Sequence, residues 1–468
     1  MELKPVELPP MNLGLKEAAE LLGGRHDGPD ATILRVTTDS RDLRPGDLFV
    51  ALRGERFDGG AFAAAALEQG AVGVVLDPSQ APAITHAIRV DDTRTALGRL
   101  GAGWRQRFAI PVVAITGSNG KTTVKEMLGA ILRAETGAAE TVLTTQGNLN
   151  NDIGLPLMLL RLRPQHRYAV FEMGMNHPGE LEYLTRLARP DVALVNNALA
   201  AHIGFFGSVE AIARAKGEIF EGLAPHSGMA LVNLDDPHAA LWQAQNARRV
   251  QIGFGFNPCA AVRGVWRATR DGGTLDAQLP DGQLHVPLAV PGEHNARNAL
   301  AALAAAFALE ISGASMLEGL RHFSGVAGRL QTRTGLHGSH FIDDTYNANP
   351  DSVKAALAVL AARPGRKILV LGDMGELGDL AAALHAEIGL AARAAWREAQ
   401  TSGPVPEILA RQRTSGAWKG ESGLYSPKYK SSHWSMLLLA ELGADPRDPR
   451  FRLGARQMLA ATAPRLAP

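Results

Sequence analysis

The stretch "PVVAITGSNGKTTVKEMLGAILRA", residues 111–134, decides the fold of this chain. It reads as a short apolar strand, a glycine-containing bend and a helix whose apolar face repeats at helical spacing from Val124 onward. Glycines let a backbone wrap an anion closely, and a helix start directs free N–H groups and its positive dipole end into the bend. Lys121 adds a cation, and the Thr122 hydroxyl suits the magnesium ion of a nucleotide. These features predict a nucleoside triphosphate site.

One position departs from the strict phosphate-loop pattern, because Ile115 stands where that pattern has glycine. The alternative interpretation of the bend is an ordinary tight turn. The strand before it, the helix after it and the doubled threonine favour phosphate binding. The residues predicted to bind the phosphates are Gly117, Asn119, Gly120, Lys121, Thr122 and Thr123.

The bulk composition excludes several classes of protein. The chain has 468 residues, with 48 basic against 47 acidic side chains, so no overall field favours nucleic acid or a membrane surface as partner. A single cysteine, Cys259, cannot form an internal disulfide and is compatible with a reducing cytoplasm, where we expect this protein. The N-terminal residues lack the pattern of a signal peptide, and the longest apolar run is too short to insert into a membrane.

The chain divides into three α/β units at residues 1–104, 105–312 and 313–468. In the middle unit, the apolar strands "VVAIT", "YAVFEM" and "VALVNN" alternate with helical stretches, which predicts a parallel sheet with crossover helices. The third unit repeats the order strand, loop, helix, strand through "HFIDDTYNANPDSVKAALAVLAARPGRKILVLG". From about Ala391 the composition shifts, and no β-type apolar run is evident.

Two polar residues follow strands of the middle unit. Glu172 ends "YAVFE", and His202 comes shortly after "VALVNN". Each lies where an open parallel sheet presents its carboxyl edge to a ligand, although a lone residue there more often satisfies a loop. Beside a phosphate loop, both become candidate magnesium ligands together with Thr122.

Lys216 interrupts the apolar stripe of the predicted helix in "SVEAIARAKGEIF". One interpretation is that its stem packs in the core while its amine reaches solvent. The other is that desolvation lowers its pKa and leaves a neutral amine able to react.

The loop "TGSNGKTT" resembles that of the ATP-dependent Mur ligases of peptidoglycan synthesis and of the related folylpolyglutamate synthetases, which join a carboxylate to an amine. "DSRDLRPGDLFVAL" is similar to the first domain of the late Mur ligases. The further motifs "GNLNN", "AKGEIF", "PGEHNARNALAA", "AGRLQ", "DDTYNANPDS" and "LGDMGELG" resemble the branch that adds D-alanyl-D-alanine to UDP-N-acetylmuramoyl-tripeptide. The resemblance implies a UDP-substrate-binding domain, a central ATP-binding ligase domain and a C-terminal Rossmann-like domain.

The resemblance also implies roles for individual residues. The UDP end would be bound by the turn at residues 39–41, although Arg41 there is also suited to a surface salt bridge. Carboxamides in the family's adenine-side motif would contact the nucleotide, although the same residues are suited to capping a helix. The implied nucleotide contacts are Asn295, Asn298, Arg329 and Asp344. The implied substrate contacts are Asp39, Ser40, Arg41, Asn148, Asn150, Asn151, Tyr346, Asn347 and Asn349.

The chemistry implied by the family is the transfer of the γ-phosphoryl group of ATP to a substrate carboxylate, followed by attack of an amine on the acyl phosphate. Two magnesium ions are expected, held by Thr122, Glu172, His202 and Lys216, with Lys216 carbamylated by carbon dioxide. The catalytic residues would be Lys121, Lys216, His202 and Glu172. The family resemblance also implies that the protein is a monomer.

Family likeness is evident from about Leu13 to Gly389, and no expected late motif follows. The strand in "KILVLG" is therefore expected to lack neighbours and to leave an exposed sheet edge. Alternatives stay open: a Mur-type ligase that adds lysine or diaminopimelate, a relative that binds nucleotide and UDP substrate without ligation, and, with less support, a phosphate-loop kinase.

Overall fold

A computed structural model gives the fold. It describes residues 8–397 except 55, 56, 82, 85, 86, 270, 271, 336–338, 362 and 364–366, together with residues 449 and 452–456. Most of the compositionally distinct tail therefore lies outside the described residues.

The N-terminal part forms a five-stranded sheet in the order β2-β9-β8-β5-β4. Strands β4, β5, β8 and β9 pair in parallel, and β2 joins the edge antiparallel. Helix α1 is followed by Gly23, which lies in the left-handed region that glycine adopts readily. The elements of this part are β1 (Leu13–Gly14), α1 (Leu15–Leu22), β2 (Arg25–Asp27), β3 (Thr32–Ile33), β4 (Arg35–Thr37), β5 (Asp47–Val50), β6 (Arg53–Gly54), β7 (Phe57–Asp58), α2 (Ala63–Glu68), β8 (Gly73–Leu76), β9 (Ala87–Arg89) and α3 (Thr93–Arg105).

The central part is built on a nine-stranded sheet in the order β11-β12-β10-β13-β14-β15-β16-β17-β18. All pairs from β11 to β16 are parallel, which confirms the prediction from alternating strands and helices. The elements are β10 (Val112–Thr116), α4 (Lys121–Thr136), β11 (Val142–Thr144), α5 (Gly154–Leu159), β12 (Tyr168–Glu172), α6 (Glu180–Ala188), β13 (Val192–Val195), α7 (Ile203–Phe206), α8 (Val209–Gly217), β14 (Met229–Asn233), α9 (Ala239–Gln245), β15 (Val250–Gly255), β16 (Val262–Ala268), β17 (Gly273–Leu279), β18 (Gly282–Leu288), α10 (Glu293–Ala308) and α11 (Gly313–Arg321).

The strand "VVAIT" shows why the sheet is covered on both faces. Successive side chains of a strand point to opposite faces, so Val113 and Ile115 pack on the side of α4, α10 and α11. Val112 and Ala114 pack on the other side, against α3, α5 and α6. All four side chains are fully buried, as expected for a central strand of a parallel sheet.

The sheet is mixed, which differs from the all-parallel sheet expected. Strands β16, β17 and β18 form an antiparallel meander at one edge. In β17, buried and partly buried positions alternate strictly, the pattern of a strand covered on one face. The sequence analysis did not predict these strands.

The third part contains β19 (Gln331–Thr334), β20 (His340–Asp343), α12 (Pro350–Ala361) and α13 (Ala381–Arg397). The strand in "HFIDD" and the helix after it are confirmed, and β19 pairs antiparallel with β20. The predicted strand in "KILVLG" forms no β-ladder with any described residue. Leu369 and Leu371 pack against α12 and α13, while Ile368 and Val370 are 43% and 48% exposed. The stretch is irregular, and no neighbouring strand among the described residues accepts its backbone hydrogen bonds.

Among the described residues, no helix is both long and apolar enough to span a bilayer.

The packing of α11 on α4 generates a stability prediction. A Cβ atom on Gly319 would lie 2.4 Å from the Cα of Ile131, so Gly319→Ala must push the two helices apart. We expect a loss of about 1–3 kcal/mol in stability, measured as a lower denaturant midpoint. Gly313→Ala in the same helix is the control, because its nearest contact would be an ordinary 3.4 Å. Equal midpoints for the two variants would contradict this account of the packing.

Candidate active site

The phosphate loop lies between β10 and α4, as predicted. Gly117 and Gly120 have φ values of 157° and 83°, in the left-handed region that other residues avoid. A Cβ atom at Gly120 would also lie 2.3 Å from Asn298 Oδ1, so glycine is required there twice over. Lys121 Nζ donates to the carbonyl of Gly117 at 2.7 Å, which folds the side chain back over the loop. Burial, partly opposed by the Glu172 carboxylate, lowers the pKa of Lys121.

Carboxamides that follow β13 hold the loop in place. Asn197 Oδ1 accepts the N–H of Asn119 at 2.9 Å, and Asn196 Nδ2 donates to the carbonyl of Asn119 at 2.9 Å. Asn196 Nδ2 also donates to Asn298 Oδ1 at 2.9 Å, which ties α10 to the loop. Asn233, at the end of β14, donates to the carbonyl of Asn196. Asn196, Asn197 and Asn233 were not predicted from the sequence, although their positions at strand ends match that of Glu172.

Glu172 ends β12 and is the centre of the predicted metal site. Its side chain is only 3% exposed. Oε2 accepts the Thr122 hydroxyl at 2.8 Å, and Oε1 accepts Nδ2 of Asn150 at 2.9 Å. The backbone N–H of Glu172 donates to Thr145 Oγ1 at 2.9 Å. The structure therefore brings together the residues expected to contact metal, nucleotide and substrate.

His202 precedes α7 with a φ of 62°, an unusual conformation for a residue other than glycine. Its Nδ1 lies 2.6 Å from Oε2 of Glu376, which the sequence analysis did not single out. Burial lowers the pKa of His202, an effect that the Glu376 carboxylate opposes and the Lys121 and Lys216 cations reinforce.

Lys216 lies near the end of α8 and is 2% exposed, so the interpretation in which its amine reaches solvent is wrong. Burial, reinforced by the charge of Lys121, lowers the pKa of Lys216 well below its usual value. Within the described part of the chain, its ammonium has no hydrogen bond or ion pair. A buried cation without a counter-ion favours the neutral amine.

The third part of the chain is docked on the loop. Arg329 Nη2 donates to Thr122 Oγ1 at 2.8 Å, and its guanidinium stacks 4.0 Å from the centre of the Tyr346 ring. Asn119 and Asn349 exchange two side-chain hydrogen bonds, at 3.2 and 2.6 Å. Asp344 Oδ1 accepts the N–H of Leu330, and burial raises the pKa of Asp344.

These elements surround a cleft of about 990 Å³. Most of the predicted site residues line it. They include residues implied to contact the nucleotide and residues implied to contact the acceptor peptide. The predicted residues that line the cleft are Asn119, Gly120, Lys121, Thr122, Thr123, Asn148, Asn150, Asn151, Glu172, His202, Asn295, Asn298, Arg329, Asp344, Tyr346, Asn347 and Asn349. Gly117, Lys216, Asp39, Ser40 and Arg41 are not among the lining residues.

The turn expected to bind the UDP end lies apart from this cleft. Arg41 is 87% exposed and pairs with Asp39 at 2.7 Å. This contact is the surface salt bridge that the sequence analysis kept as an alternative.

Lys125 is a further buried polar residue that was not predicted from the sequence. It lies one turn into α4, is 2% exposed, and its Nζ donates to the carbonyl of Thr145 at 2.6 Å and pairs with Glu126 at 2.7 Å. Because Thr145 in turn accepts the N–H of Glu172, Lys125 fixes the strand end that carries the acid. Its position next to the apolar stripe of the helix was the sequence feature that could have identified it as buried.

Three family models match the chain. The model described as Mur ligase family, catalytic domain, matches residues 32–105, the Mur ligase middle domain matches residues 115–306, and the Mur ligase, glutamate ligase domain, matches residues 328–421. The last match continues past Gly389, so family likeness extends further along the tail than predicted.

Individual relatives agree with these matches. A protein of Escherichia coli (strain K12) named UDP-N-acetylmuramoyl-tripeptide--D-alanyl-D-alanine ligase is 44% identical over 390 residues, covering 82% of this chain and 84% of the relative. The protein of the same name from Bacillus subtilis (strain 168) is 38% identical and covers 80% and 81%. A crystal structure of MurF from Acinetobacter baumannii has a TM-score of 0.78 at 38% identity, covering 83% of this chain and 84% of the other. MurF ligase from Thermotoga maritima, in complex with ADP, has a TM-score of 0.69 at 30% identity, covering 76% and 81%.

The role of Lys125 can be tested by removing its amine. Lys125→Ala leaves the Thr145 carbonyl and Glu126 without their buried partner, and we expect a loss of about 1–3 kcal/mol in a denaturant titration. The same substitution at Lys354, whose pair with Glu387 is exposed, is expected to cost less than about 1 kcal/mol. A Lys125→Ala variant as stable as Lys354→Ala would show that the buried amine does not hold the strand end.

Proposed function

The chain belongs to the Mur ligase family, and on that premise we propose that it joins D-alanyl-D-alanine to UDP-N-acetylmuramoyl-tripeptide in an ATP-dependent reaction. The observation that carries the proposal is the meeting of Thr122, Glu172 and Asn150 at the start of α4. A phosphate loop, an acid and an acceptor-side carboxamide thus share one edge of the sheet. The names of the relatives support the two substrates.

ATP would bind with its phosphates at the N-terminus of α4. The free N–H groups of the first helical turn and the Lys121 ammonium are suited to the β- and γ-phosphates. Because the site buries cations, an anionic ligand would relieve the cost of desolvating them. Asn295 and Asn298 of α10 would lie toward the adenine, with Arg329 and Asp344 contributing from the third part.

The residues present fit magnesium. Among the described residues, no three His, Cys, Asp or Glu side chains lie close enough together to hold a metal ion alone. Magnesium usually takes one or two protein ligands and completes its shell with phosphate oxygens and water, so Thr122 and Glu172 suffice for one ion. His202 and a carbamylated Lys216 would serve a second. The ions would neutralise charge that develops on the transferred phosphoryl group.

Lys216 is suited to carbamylation. Its neutral amine nitrogen would form a bond with the carbon of carbon dioxide and lose one proton, which gives a carbamate anion. This reaction would place an anion within electrostatic reach of Lys121 and His202, where burial and the charge of Lys121 disfavour the protonated amine and lower its pKa.

Ligation would follow in two steps. The substrate carboxylate attacks the γ-phosphorus of ATP, which releases ADP and leaves an acyl phosphate. The amine of D-alanyl-D-alanine then attacks the carbonyl carbon, and phosphate leaves. Catalysis consists mainly of positioning and charge neutralisation by Lys121 and the metal ligands. The docked third part would exclude water from the acyl phosphate.

Different groups of residues in the cleft would contact the two substrates. Asn148, Asn150 and Asn151 would line the acceptor peptide, while Tyr346, Asn347 and Asn349 would lie beside the entering dipeptide. Arg41 would leave its exposed ion pair with Asp39 and bind the diphosphate of the UDP group instead. Ser40 would contribute a hydroxyl group.

The proposed organisation has domains at residues 1–104, 105–312 and 313–468. The three family matches support it, because they fall one after another along these ranges with short gaps between them. We further propose a cytoplasmic monomer, in keeping with the single, exposed Cys259.

An assay of ADP release tests the reaction and its amine. With ATP and UDP-tripeptide, we expect D-alanyl-D-alanine to cause ADP release. With ATP and UDP-dipeptide, we expect no ADP release when lysine or diaminopimelate is the amine. Lys121→Ala should lose activity at least about 100-fold, while Lys354→Ala, at an exposed pair, should not. Hydroxylamine should trap an acyl hydroxamate in the absence of the amine. If no hydroxamate forms, the protein binds nucleotide without activating a carboxylate. That outcome would support the alternative of a relative that does not ligate.

Carbamylation of Lys216 has its own test. Lys216→Ala should lose activity about 100-fold because the second metal site loses its anion, and a short carboxylate such as acetate should restore part of it. Nuclear magnetic resonance of the wild-type protein in labelled bicarbonate should show a carbamate carbon that the variant lacks. A missing signal together with no rescue would remove the carbamate from the proposal.

A further inference from the structure

Two backbone conformations of the same unusual kind meet at the edge of the cleft. His202 and Glu376 have φ values of 62° and 64°, a left-handed conformation that is energetically unfavourable for residues other than glycine. His202 precedes α7 in the central part, whereas Glu376 precedes α13 in the third part. Such conformations persist only where surrounding contacts stabilise them. The contacts between these two segments provide that stabilisation.

The two segments touch through both side chain and backbone. Glu376 Oε2 lies 2.6 Å from His202 Nδ1, and the carbonyl of Glu376 accepts the N–H of Gly204 at 3.2 Å. Gly204 and Gly378 pack backbone on backbone, since a Cβ atom on Gly204 would lie 2.7 Å from the nitrogen of Gly378. Leu377 is 2% exposed, in the apolar cluster of the third part against which Ile203 packs.

Glu376 gives His202 its one ion-pair contact within the described part of the chain. His202 Nδ1 is buried and has no hydrogen-bond partner among the described residues, so the Glu376 carboxylate beside it is the acceptor within reach. The cations within electrostatic reach of the ring are Lys121 and Lys216, so Glu376 is the carboxylate in otherwise positive surroundings.

We propose that Glu376 is a positioning residue for His202. By accepting Nδ1–H, it fixes the ring in the tautomer whose Nε2 carries the lone pair and turns that nitrogen toward the phosphate loop. Histidines that bind metals almost always donate their second ring N–H to a carboxylate, carbonyl or water, and loss of that partner typically weakens metal binding about 10–100-fold. The inference rests on the metal role proposed above for His202.

Docking of the third part and completion of the metal site are then one event. Glu376 reaches His202 only while the Gly204 and Gly378 backbones are in contact, because these glycines set the distance between the two segments. Undocking removes the carboxylate and leaves His202 free to rotate. The metal site is consequently complete only when the cleft is closed over the acyl phosphate.

The test measures metal affinity without turnover. Mn²⁺ is titrated into the full-length protein with a non-hydrolysable ATP analogue, and free Mn²⁺ is followed by electron paramagnetic resonance. We expect Glu376→Ala to bind Mn²⁺ about 10–100-fold more weakly than the wild type, and Glu376→Gln, whose amide oxygen can still accept Nδ1–H, to recover part of the loss. Asp379→Ala is the matched control, since it removes a nearby exposed carboxylate without contact to His202 and should bind Mn²⁺ as the wild type does.

A second variant tests the coupling to docking. Gly204→Ala leaves the local backbone unstrained, because the φ of this residue is ordinary, but its methyl group blocks the contact with Gly378. We expect it to weaken Mn²⁺ binding by at least about threefold although the Glu376 side chain is intact. Unchanged Mn²⁺ binding by Gly204→Ala would overturn the coupling.

The outcomes separate this inference from the proposed function. Wild-type Mn²⁺ affinity in Glu376→Ala, with weak binding in His202→Ala, would overturn the positioning role and leave the ligase proposal intact. Wild-type affinity in His202→Ala as well would overturn the metal role of His202 itself, and this inference with it.

Discussion

The parallel pairing of β10 with β12 and β13 is the constraint on which the site depends. Its register places Ile115 beside Glu172 and Thr116 beside Val195, so the residues that follow these strands emerge at one edge. Parallel strands all end at the same edge of the sheet. The phosphate loop, the acid and the asparagine carboxamides therefore lie close together although they are far apart in the sequence. A shift of one residue in this register would turn Glu172 to the opposite face of the sheet.

The site combines a satisfied polar frame with unsatisfied charge. Asparagine side chains bond both the backbone N–H and the carbonyl of Asn119 in the loop. The cations are treated differently: Lys121 bonds only neutral carbonyls, and Lys216 is buried without a counter-ion in the described part of the chain. Such an arrangement costs stability in the free protein and favours an anionic ligand.

The third part of the chain is joined to the loop by short polar contacts that reach into the site itself. Arg329 bonds the Thr122 hydroxyl, Asn349 pairs with Asn119, and Asp351 accepts the N–H of Ala200. Arg329 and Thr122, for which nucleotide and metal contacts are proposed above, thus also contact each other. Under that proposal, closure and nucleotide binding would involve the same side chains.

The sequence by itself determined the strand–loop–helix unit around Lys121, the parallel central strands and the strand-end position of Glu172, because glycine placement, strand ends and helical periodicity are local patterns. The family resemblance added further residues that line the cleft, among them Asn298 and Arg329. Only the tertiary structure decided that Glu376 meets His202, that Lys216 is buried and that Arg41 pairs at the surface. It also added the antiparallel edge of the sheet and, as far as the described residues extend, gave the predicted strand in "KILVLG" no ladder. The physical reason is that pairing, burial and loss of solvent depend on partners distant in sequence, which no local pattern specifies.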